Sequence, residues 1–192
     1  VGKQAYSLHG WIFYAGKHKI SYFSRKYGIM KRLVLVRHAK AVHWGYDDDF
    51  SRELTERGES DAAKVSAHLR KEGILPSLII SSPAVRALQT AQIFAGTFKY
   101  PEKEIRKDHE LYNGYDTSEF LDMLHTTPDD REVVFVFGHN PTMENFASGL
   151  CTYFGREVPT CSAMVIDFDK ETWNSITVRT GNLFTQVNPK EL

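Results

Sequence analysis

Three uninterrupted runs of apolar residues, at 33–36, 78–80 and 133–137, each end directly in a polar motif. The motifs are RHA at 37–39, SSP at 81–83 and GHNP at 138–141. Short apolar runs without alternation are typical of strands that are buried on both faces of a sheet. Helical spacing of apolar residues resumes after each run. The pattern therefore predicts an alternation of parallel strands and helices.

The helices and the last strands complete the predicted fold. Thr55 is a plausible N-cap for a helix with the apolar positions Ala62, Val65 and Leu69, and Phe120 belongs to a short amphipathic helix at 116–125. Residues 162–180 alternate as two antiparallel strands, AMVIDF and SITVRT. We therefore expect an α/β protein, a three-layer α/β/α sandwich with a mostly parallel sheet and a closing antiparallel strand pair.

The second and third motifs also predict helix starts. Ser82 and Asn140 suit the N-cap position, and Pro83 and Pro141 suit the first helical position, where a missing N–H costs nothing. Arg86 would then lie in the first turn of its helix, at the carboxyl edge of the sheet. Free N–H groups and the positive end of the helix dipole favour an anion there.

Composition excludes some classes of function. The 192 residues are 42% hydrophobic and 25% charged with a formal net charge of +0, so no overall field attracts nucleic acid or an acidic membrane. No apolar stretch approaches the ~20 residues of a membrane span. The two cysteines, Cys151 and Cys161, lack metal-ligand spacing and are expected to be free thiols in a reducing, cytoplasmic setting, although a disulfide stays open.

The first 29 residues differ from the rest. They hold seven aromatic side chains and five Lys or Arg but no Asp or Glu, and they lack the long apolar segment of a secretory signal. We interpret 1–29 as an N-terminal extension outside the core fold, with a targeting or partner-binding arm as the alternative. Residues 30–192 would then form the functional domain.

The three motifs meet at one edge, because the carboxyl ends of parallel strands bind ligands in open α/β sheets. There they would place two guanidinium groups, Arg37 and Arg86, beside two imidazoles, His38 and His139. Clustered cations repel one another unless an anion lies between them. A phosphoryl site with His38 as nucleophile is the chemistry that this cluster indicates.

The motifs also carry a family resemblance. VRHAKA at 36–41, RELTERG at 52–58, SSPAVRALQTA at 81–91 and VFGHNP at 136–141 resemble the histidine phosphatase superfamily, with its phosphoglycerate-mutase-like fold. Within it, the chain is most similar to the SixA-type phosphohistidine phosphatases. The resemblance covers most of residues 31–192. It implies a hydrolase that needs no cofactor and no metal.

The resemblance implies a role for each matching residue. His38 would be the phosphorylated nucleophile, Arg37 and Arg86 the phosphoryl clamps, and His139 the second imidazole that stabilises the transferring group. Arg52, the arginine before the LT of the first helix, would add a phosphate contact. We also assign Ser82 and Asn140 to substrate binding.

The motifs indicate a candidate proton donor and several possible classes of substrate. Mutases and acid phosphatases of the superfamily carry an acidic proton donor on an inserted segment, and Glu110 is the well-placed candidate in the short segment found in this chain. A shallow groove without insertions favours phosphohistidine in a protein as substrate, with neither nucleic acid nor membrane as partner. Two alternatives stay open, namely a phosphatase or mutase acting on small phosphate esters, and a phosphate-binding module without catalysis.

Overall fold

A computed structural model describes residues 4–8, 11–15, 24–25, 31–43, 45 and 47–192. The first three strands, β1 (Gln4–Leu8), β2 (Trp11–Ala15) and β3 (Ser24–Arg25), form an antiparallel sheet of their own in the order β1-β2-β3. They fall in the segment that we interpret as an extension, and its status stays a prediction.

A six-stranded sheet forms the centre of the rest of the described chain. Its strands are β4 (Lys31–Arg37), β5 (Leu78–Ser81), β6 (Arg106–Lys107), β7 (Val133–Gly138), β8 (Ala163–Phe168) and β9 (Gly181–Val187). The order is β6-β5-β7-β4-β8-β9. The first four strands are parallel, β8 is antiparallel to β4, and β9 is antiparallel to β8. The predicted mostly parallel sheet with an antiparallel pair is confirmed.

Helices cover both faces of this sheet. They are α1 (Glu56–Lys71), α2 (Val85–Phe98), α3 (Glu110–Asn113), α4 (Thr117–His125) and α5 (Thr142–Leu150). Successive residues of a strand point to opposite faces: Val34 and Val36 of β4 belong to the core shared with α1 and α2, whereas Leu33 and Leu35 belong to the core shared with α4 and α5. The three-layer α/β/α architecture is confirmed, and it explains why β4 is apolar at every central position.

Two predicted helix starts are wrong, although the helices themselves are present. The N-cap of α2 is Ala84 rather than Ser82, because Ser82 continues the strand geometry and its amide donates to the Phe137 carbonyl at 2.9 Å. The N-cap of α5 is Pro141 rather than Asn140. The predicted cap of α1 is confirmed, since Thr55 Oγ1 accepts from Gly58 N at 3.0 Å.

The predicted second strand of the closing pair is also wrong. Residues 175–180 form no strand; Trp173–Ser175 is a 3₁₀ turn with a buried Trp173, Thr180 Oγ1 donates to the Thr177 carbonyl at 2.7 Å, and Arg179 has φ 57°. The strand that pairs with β8 is β9, which begins at residue 181. Because β9 lies at the sheet edge and exposes part of one face, its apolar pattern is weak.

Three whole-chain expectations remain, on the cysteines, on membrane-spanning segments and on location. Cys151 and Cys161 are both free and buried. None of the helices in the described residues has the length and apolar character needed to cross a membrane. Location in the cytoplasm stays a prediction.

Deleting residues 1–29 is expected to leave catalysis and the melting temperature nearly unchanged, because every motif and all six central strands lie after that segment. Phosphate-release assays and thermal melts of the full-length and shortened proteins measure both quantities. Insolubility or a sharp drop in melting temperature would mean that the segment packs on the domain.

Candidate active site

The carboxyl ends of three parallel strands lie level with one another. Arg37 of β4 pairs with Gly138 of β7, and Ser81 of β5 pairs with Phe137 of the same strand. The residues that follow are therefore adjacent, and the amide of His38 donates to the Gly138 carbonyl at 2.9 Å. The sheet register brings the three sequence motifs to one edge.

His38 has one nitrogen engaged by the backbone and the other turned toward an arginine. Its Nδ1 is 2.8 Å from the Ala39 carbonyl, which can only accept, so Nδ1 carries the proton and Nε2 keeps its lone pair. That lone pair accepts a long hydrogen bond from Arg86 Nε at 3.4 Å. Burial, with the charges of Arg86 and Arg37 adding to it, lowers the pKa of His38 to about 4. The imidazole is therefore neutral at pH 7, as a nucleophile must be.

His139 is a second neutral imidazole beside the first. The two ring centroids are 5.1 Å apart, and Nε2 of His139 hydrogen bonds to Ser82 Oγ at 2.8 Å. Burial, together with the proximity of His38 and Arg86, lowers the pKa of His139 to about 3. Its Nδ1 is buried and has no hydrogen-bond partner among the described residues. That nitrogen is free to contact a ligand.

Arg86 and Arg37, the two arginines predicted to bind the phosphoryl group, differ in their burial and in their hydrogen-bond partners. Arg86 is only 4% exposed and lies at the start of α2. Arg37 donates from Nη1 to the Val158 carbonyl at 2.8 Å, while its Nε is buried without a partner among the described residues. Burial lowers the pKa of Arg37, and the charge of Glu144 partly opposes this effect.

Asp49 bridges the arginines of the site and was not identified from the sequence. Its Oδ1 accepts from Nε and Nη2 of Arg52 at 2.9 and 2.6 Å, and its Oδ2 accepts from Nη2 of Arg86 at 2.7 Å. Although desolvation raises the pKa of Asp49, the hydrogen bonds and charges of Arg52 and Arg86 outweigh it and lower that pKa. The acidic run at 47–49 was the available signal, but nothing in it selects one carboxylate of three.

The Asp49 carboxylate binds one end of the guanidinium edge with which Arg86 would bind a phosphoryl group. Nε and Nη2 of a guanidinium form one fork, which suits two oxygens of a phosphate. In this protein Nε faces His38 Nε2, and Nη2 binds Asp49. A phosphoryl group on that fork must share Arg86 with Asp49 or displace its carboxylate.

The weaker sequence assignments lie in three different positions. Arg52 reaches the cluster through Asp49 and also donates to the Val42 carbonyl at 3.1 Å. Asn140 donates from Nδ2 to Glu144 Oε2 at 3.0 Å and to the Val158 carbonyl at 3.3 Å, so it supports the carbonyl that holds Arg37. Ser82 contacts His139 as described above.

Glu110 does not join the cluster. It is exposed, and its Oε1 accepts from Asn113 Nδ2 at 3.3 Å; among the described residues none of its hydrogen bonds is to a group of the site. Tyr112, two residues later in α3, does reach the cluster: its hydroxyl donates to Asp49 Oδ2 at 3.3 Å. Tyr112 was missed from the sequence, because a four-residue helix carries no periodic signal.

No group of three or more His, Cys, Asp and Glu side chains among the described residues is arranged to hold a metal ion. The groups brought together are two arginines and two neutral imidazoles, with the His38 Nε2 lone pair directed at Arg86 and the Asp49 carboxylate beside them. Such an arrangement can attack and bind a phosphoryl group through side chains alone.

Titration of His38 in the ligand-free protein is expected to occur near pH 4 rather than near 6.5, since burial and the nearby arginines disfavour the imidazolium. Above that pH the ring stays neutral and Nε2 keeps its lone pair; below it Nε2 is protonated and that lone pair is lost. NMR spectra of the histidine ring nitrogens, assigned with a His38→Asn variant, follow this titration. A midpoint near 6.5 would contradict a buried, neutral His38 beside Arg86.

Comparison with known proteins agrees with this site. The family model of the histidine phosphatase superfamily (branch 1) matches residues 33–114. An uncharacterised chloroplastic protein of Arabidopsis thaliana is 32% identical over 165 residues, which are 80% of this chain and 73% of that protein.

Two solved structures described as candidate phosphohistidine phosphatases SixA have the same fold. The one from Nakamurella multipartitia superposes with a TM-score of 0.70 at 25% identity, over 83% of this chain and 96% of that chain. The one from Agrobacterium tumefaciens gives 0.67 at 27% identity, over 83% and 98%. The motif set, the sheet and these similarities lead to one conclusion: the chain belongs to the histidine phosphatase superfamily.

Proposed function

We propose that this protein is a phosphatase that forms a covalent phosphohistidine at His38 and acts on phosphohistidine in a protein substrate. One observation carries the proposal: the Ala39 carbonyl holds Nδ1–H of His38, which leaves a neutral Nε2 facing the Arg86 guanidinium. A lone pair beside a phosphate-binding fork is the arrangement that in-line phosphoryl transfer requires. Family membership supports phosphatase activity.

The reaction has two steps. In the first, Nε2 of His38 attacks phosphorus, the P–N bond to the substrate imidazole breaks, and its electron pair stays on the departing nitrogen, which takes a proton from water. In the second, water attacks the phosphoenzyme, the P–Nε2 bond breaks and its electron pair returns to His38, and orthophosphate leaves. The proton that the attacking water loses neutralises the hydroxide left in solvent by the first step. The two imidazoles of the site differ in role, since only His38 forms a bond to phosphorus.

The arginines stabilise the charge on the transferring group. Arg86 presents its fork beside Nε2, and Arg37 has a buried Nε–H with no protein partner in the described chain, free to donate to a phosphoryl oxygen. The Arg37 donor is already free for the developing charge and lowers the barrier without reorganisation, whereas Arg86 must first share or release the Asp49 carboxylate. Ser82 Oγ accepts from Ala84 N at 3.3 Å and can donate its own proton to His139 Nε2; in that tautomer His139 Nδ1 carries the ring proton and is a third donor for the phosphoryl oxygens.

Two features favour a phosphorylated protein side chain over a small metabolite. The Asp49 side chain lies directly on the clamp and is still 54% exposed, so the phosphoryl position is close to the surface. The solved structures from Nakamurella multipartitia and Agrobacterium tumefaciens are candidate phosphohistidine phosphatases. A shallow site suits a phosphate that projects from a protein surface, whereas small ligands are mostly enclosed.

The deciding experiment measures phosphate release from a phosphohistidine-labelled protein, beside a panel of small phosphomonoesters at equal concentration. We expect a higher kcat/KM for the labelled protein. Preference for the small esters would favour the alternative phosphatase or mutase, and phosphate binding without turnover of any substrate would favour a non-catalytic module. The His38→Ala variant is the blank for both arms.

Glu110→Gln is expected to change phosphohistidine hydrolysis by less than about tenfold, well under the ~10²–10⁴-fold of a general acid. The departing imidazole has a pKa of ~6.5 and can be protonated by water, whereas an alkoxide would need a positioned acid. The exposed Glu110 carboxyl, bonded only to its own helix among the described residues, agrees with this.

The measurement compares kcat/KM for phosphohistidine protein and for an alkyl phosphate, with Glu104→Gln, another exposed glutamate, as control. Efficient alkyl-ester hydrolysis that collapses in Glu110→Gln, but not in the control, would identify a dedicated acid and favour small esters as substrates.

A further inference from the structure

Two aromatic rings, Phe50 and Tyr112, lie on the outer side of the His38 cluster. Their centroids are 5.1 Å apart at an interplanar angle of 84°, and the Tyr112 ring is 5.6 Å from the His139 ring at 78°. Both side chains are only half-buried. Aromatic surface is therefore accessible directly beside the proposed nucleophile.

Tyr112 contacts one neighbour of His38 and a partner of the other. Its ring contacts His139, whose ring lies beside His38, and its hydroxyl donates to Asp49, which also accepts from Arg86, the other neighbour of His38. The ring contacts of Tyr112 within the described chain are to Phe50 and His139. Tyr112 therefore borders the proposed phosphoryl position, and part of its surface is exposed.

A leaving group would lie across phosphorus from His38. In phosphoryl transfer the attacking and leaving atoms are roughly in line through phosphorus. With Nε2 of His38 as the attacking atom, a leaving group that belongs to a protein must extend toward solvent, where Phe50 and Tyr112 expose part of their rings. A planar ring gains stacking or edge-to-face contacts there that an aliphatic group cannot make.

We propose that Phe50 and Tyr112 form a leaving-group subsite that selects a planar aromatic ring, the imidazole of phosphohistidine. The identity of that ring rests on the proposed function. The subsite recognises the ring rather than the P–N bond, so it distinguishes an imidazole from other leaving groups attached through nitrogen.

Two small substrates separate recognition of the aromatic ring from recognition of the P–N bond. Phosphoimidazole has a P–N bond to a ring, and phosphoramidate has a P–N bond without one. The quantity compared is the ratio of their kcat/KM values in the wild type and in three variants, namely Tyr112→Ala, Tyr112→Phe and Phe50→Ala. Tyr153→Ala is the control, because Tyr153 is 82% exposed and lies outside the site.

Tyr112→Ala is expected to lower this ratio about tenfold, the effect of removing one aromatic stacking partner. Phe50→Ala is expected to lower it in the same direction, and because Phe50 is half-exposed in a loop, the substitution should not prevent folding. Tyr112→Phe keeps the ring and removes only the hydroxyl bond to Asp49, so its ratio should stay within about twofold of the wild type.

Two results would overturn the subsite. An equal loss on both substrates in Tyr112→Ala would mean that Tyr112 merely supports His139. If the ratio of kcat/KM values falls as far in Tyr112→Phe as in Tyr112→Ala, the effect comes from the hydrogen bond between the Tyr112 hydroxyl and Asp49. Should Tyr112→Ala fail to fold, an unchanged ratio in Phe50→Ala alone would suffice to reject the proposal.

Failure of the proposed function gives a different result. In that case the wild type hydrolyses phosphate esters but neither phosphoimidazole nor the labelled protein. The subsite is then tested with phenyl phosphate against ethyl phosphate in the same variants. A preference for the phenyl ester that falls in Tyr112→Ala keeps the ring subsite, and the absence of any such preference rejects it.

Discussion

His38→Ala is expected to lower kcat/KM by at least about 10⁴-fold, the scale on which removal of a catalytic nucleophile acts. It should also abolish the acid-labile phosphoenzyme. The variant removes the Nε2 lone pair that faces the Arg86 fork, the one proposed to attack phosphorus.

The fold should tolerate this change. The His38 side chain is hydrogen bonded to its own neighbour, Ala39, and its neutral ring balances no charge. His68→Ala is a matched control, since His68 lies in the last turn of α1, roughly 20 Å along the helix from the end nearest the site. Turnover that persists in a correctly folded His38→Ala protein would remove His38 from the role of nucleophile.

Arg86→Ala is expected to lower kcat/KM by about 10²–10³-fold, corresponding to ~3–4 kcal/mol of transition-state stabilisation for one preorganised donor. Arg37→Ala should cost a similar amount, because its Nε–H has no protein acceptor among the described residues. Arg86→Lys keeps the charge but not the fork, so we expect an intermediate loss. Arg57→Ala is the control, as this side chain is 62% exposed on α1.

The Asp49 carboxylate is a second source of any loss of kcat/KM in Arg86→Ala. Without Arg86, this carboxylate keeps Arg52 as its cationic partner and would repel a phosphoryl group more strongly. The double variant Arg86→Ala/Asp49→Asn separates the two effects. If it stays as slow as Arg86→Ala, the lost fork explains the defect; if it recovers most activity, the carboxylate does. A loss below about tenfold in Arg86→Ala would mean that the clamp is misassigned.

The fold was predictable where burial on both faces makes the sequence unambiguous. The strands β4, β5 and β7 are apolar at successive positions because helices cover both sides. The edge strand β9 has one partly exposed face, so its pattern was weak and the closing strand was placed six residues too early. Helix starts after β5 and β7 were misplaced because the cap depends on backbone geometry that Ser-Pro and Asn-Pro pairs do not specify.

The sequence by itself determined which residues share the carboxyl edge of the sheet. Three strand ends followed by basic motifs can meet there in any parallel sheet, so Arg37, His38, Arg86 and His139 could be grouped without coordinates. Their protonation states required the tertiary structure, because the lowered pKa values of both imidazoles arise from burial and from charges distant in sequence.

Only the tertiary structure decided which loop residues complete the site. Asp49 and Tyr112 are 63 positions apart and meet in a hydrogen bond that no local spacing predicts. One comes from a polar loop and the other from a single helical turn, and neither element has a periodic pattern. Loop side chains are placed by long-range contacts with Arg86, Arg52 and His139, so they are the part of this site that sequence patterns cannot specify.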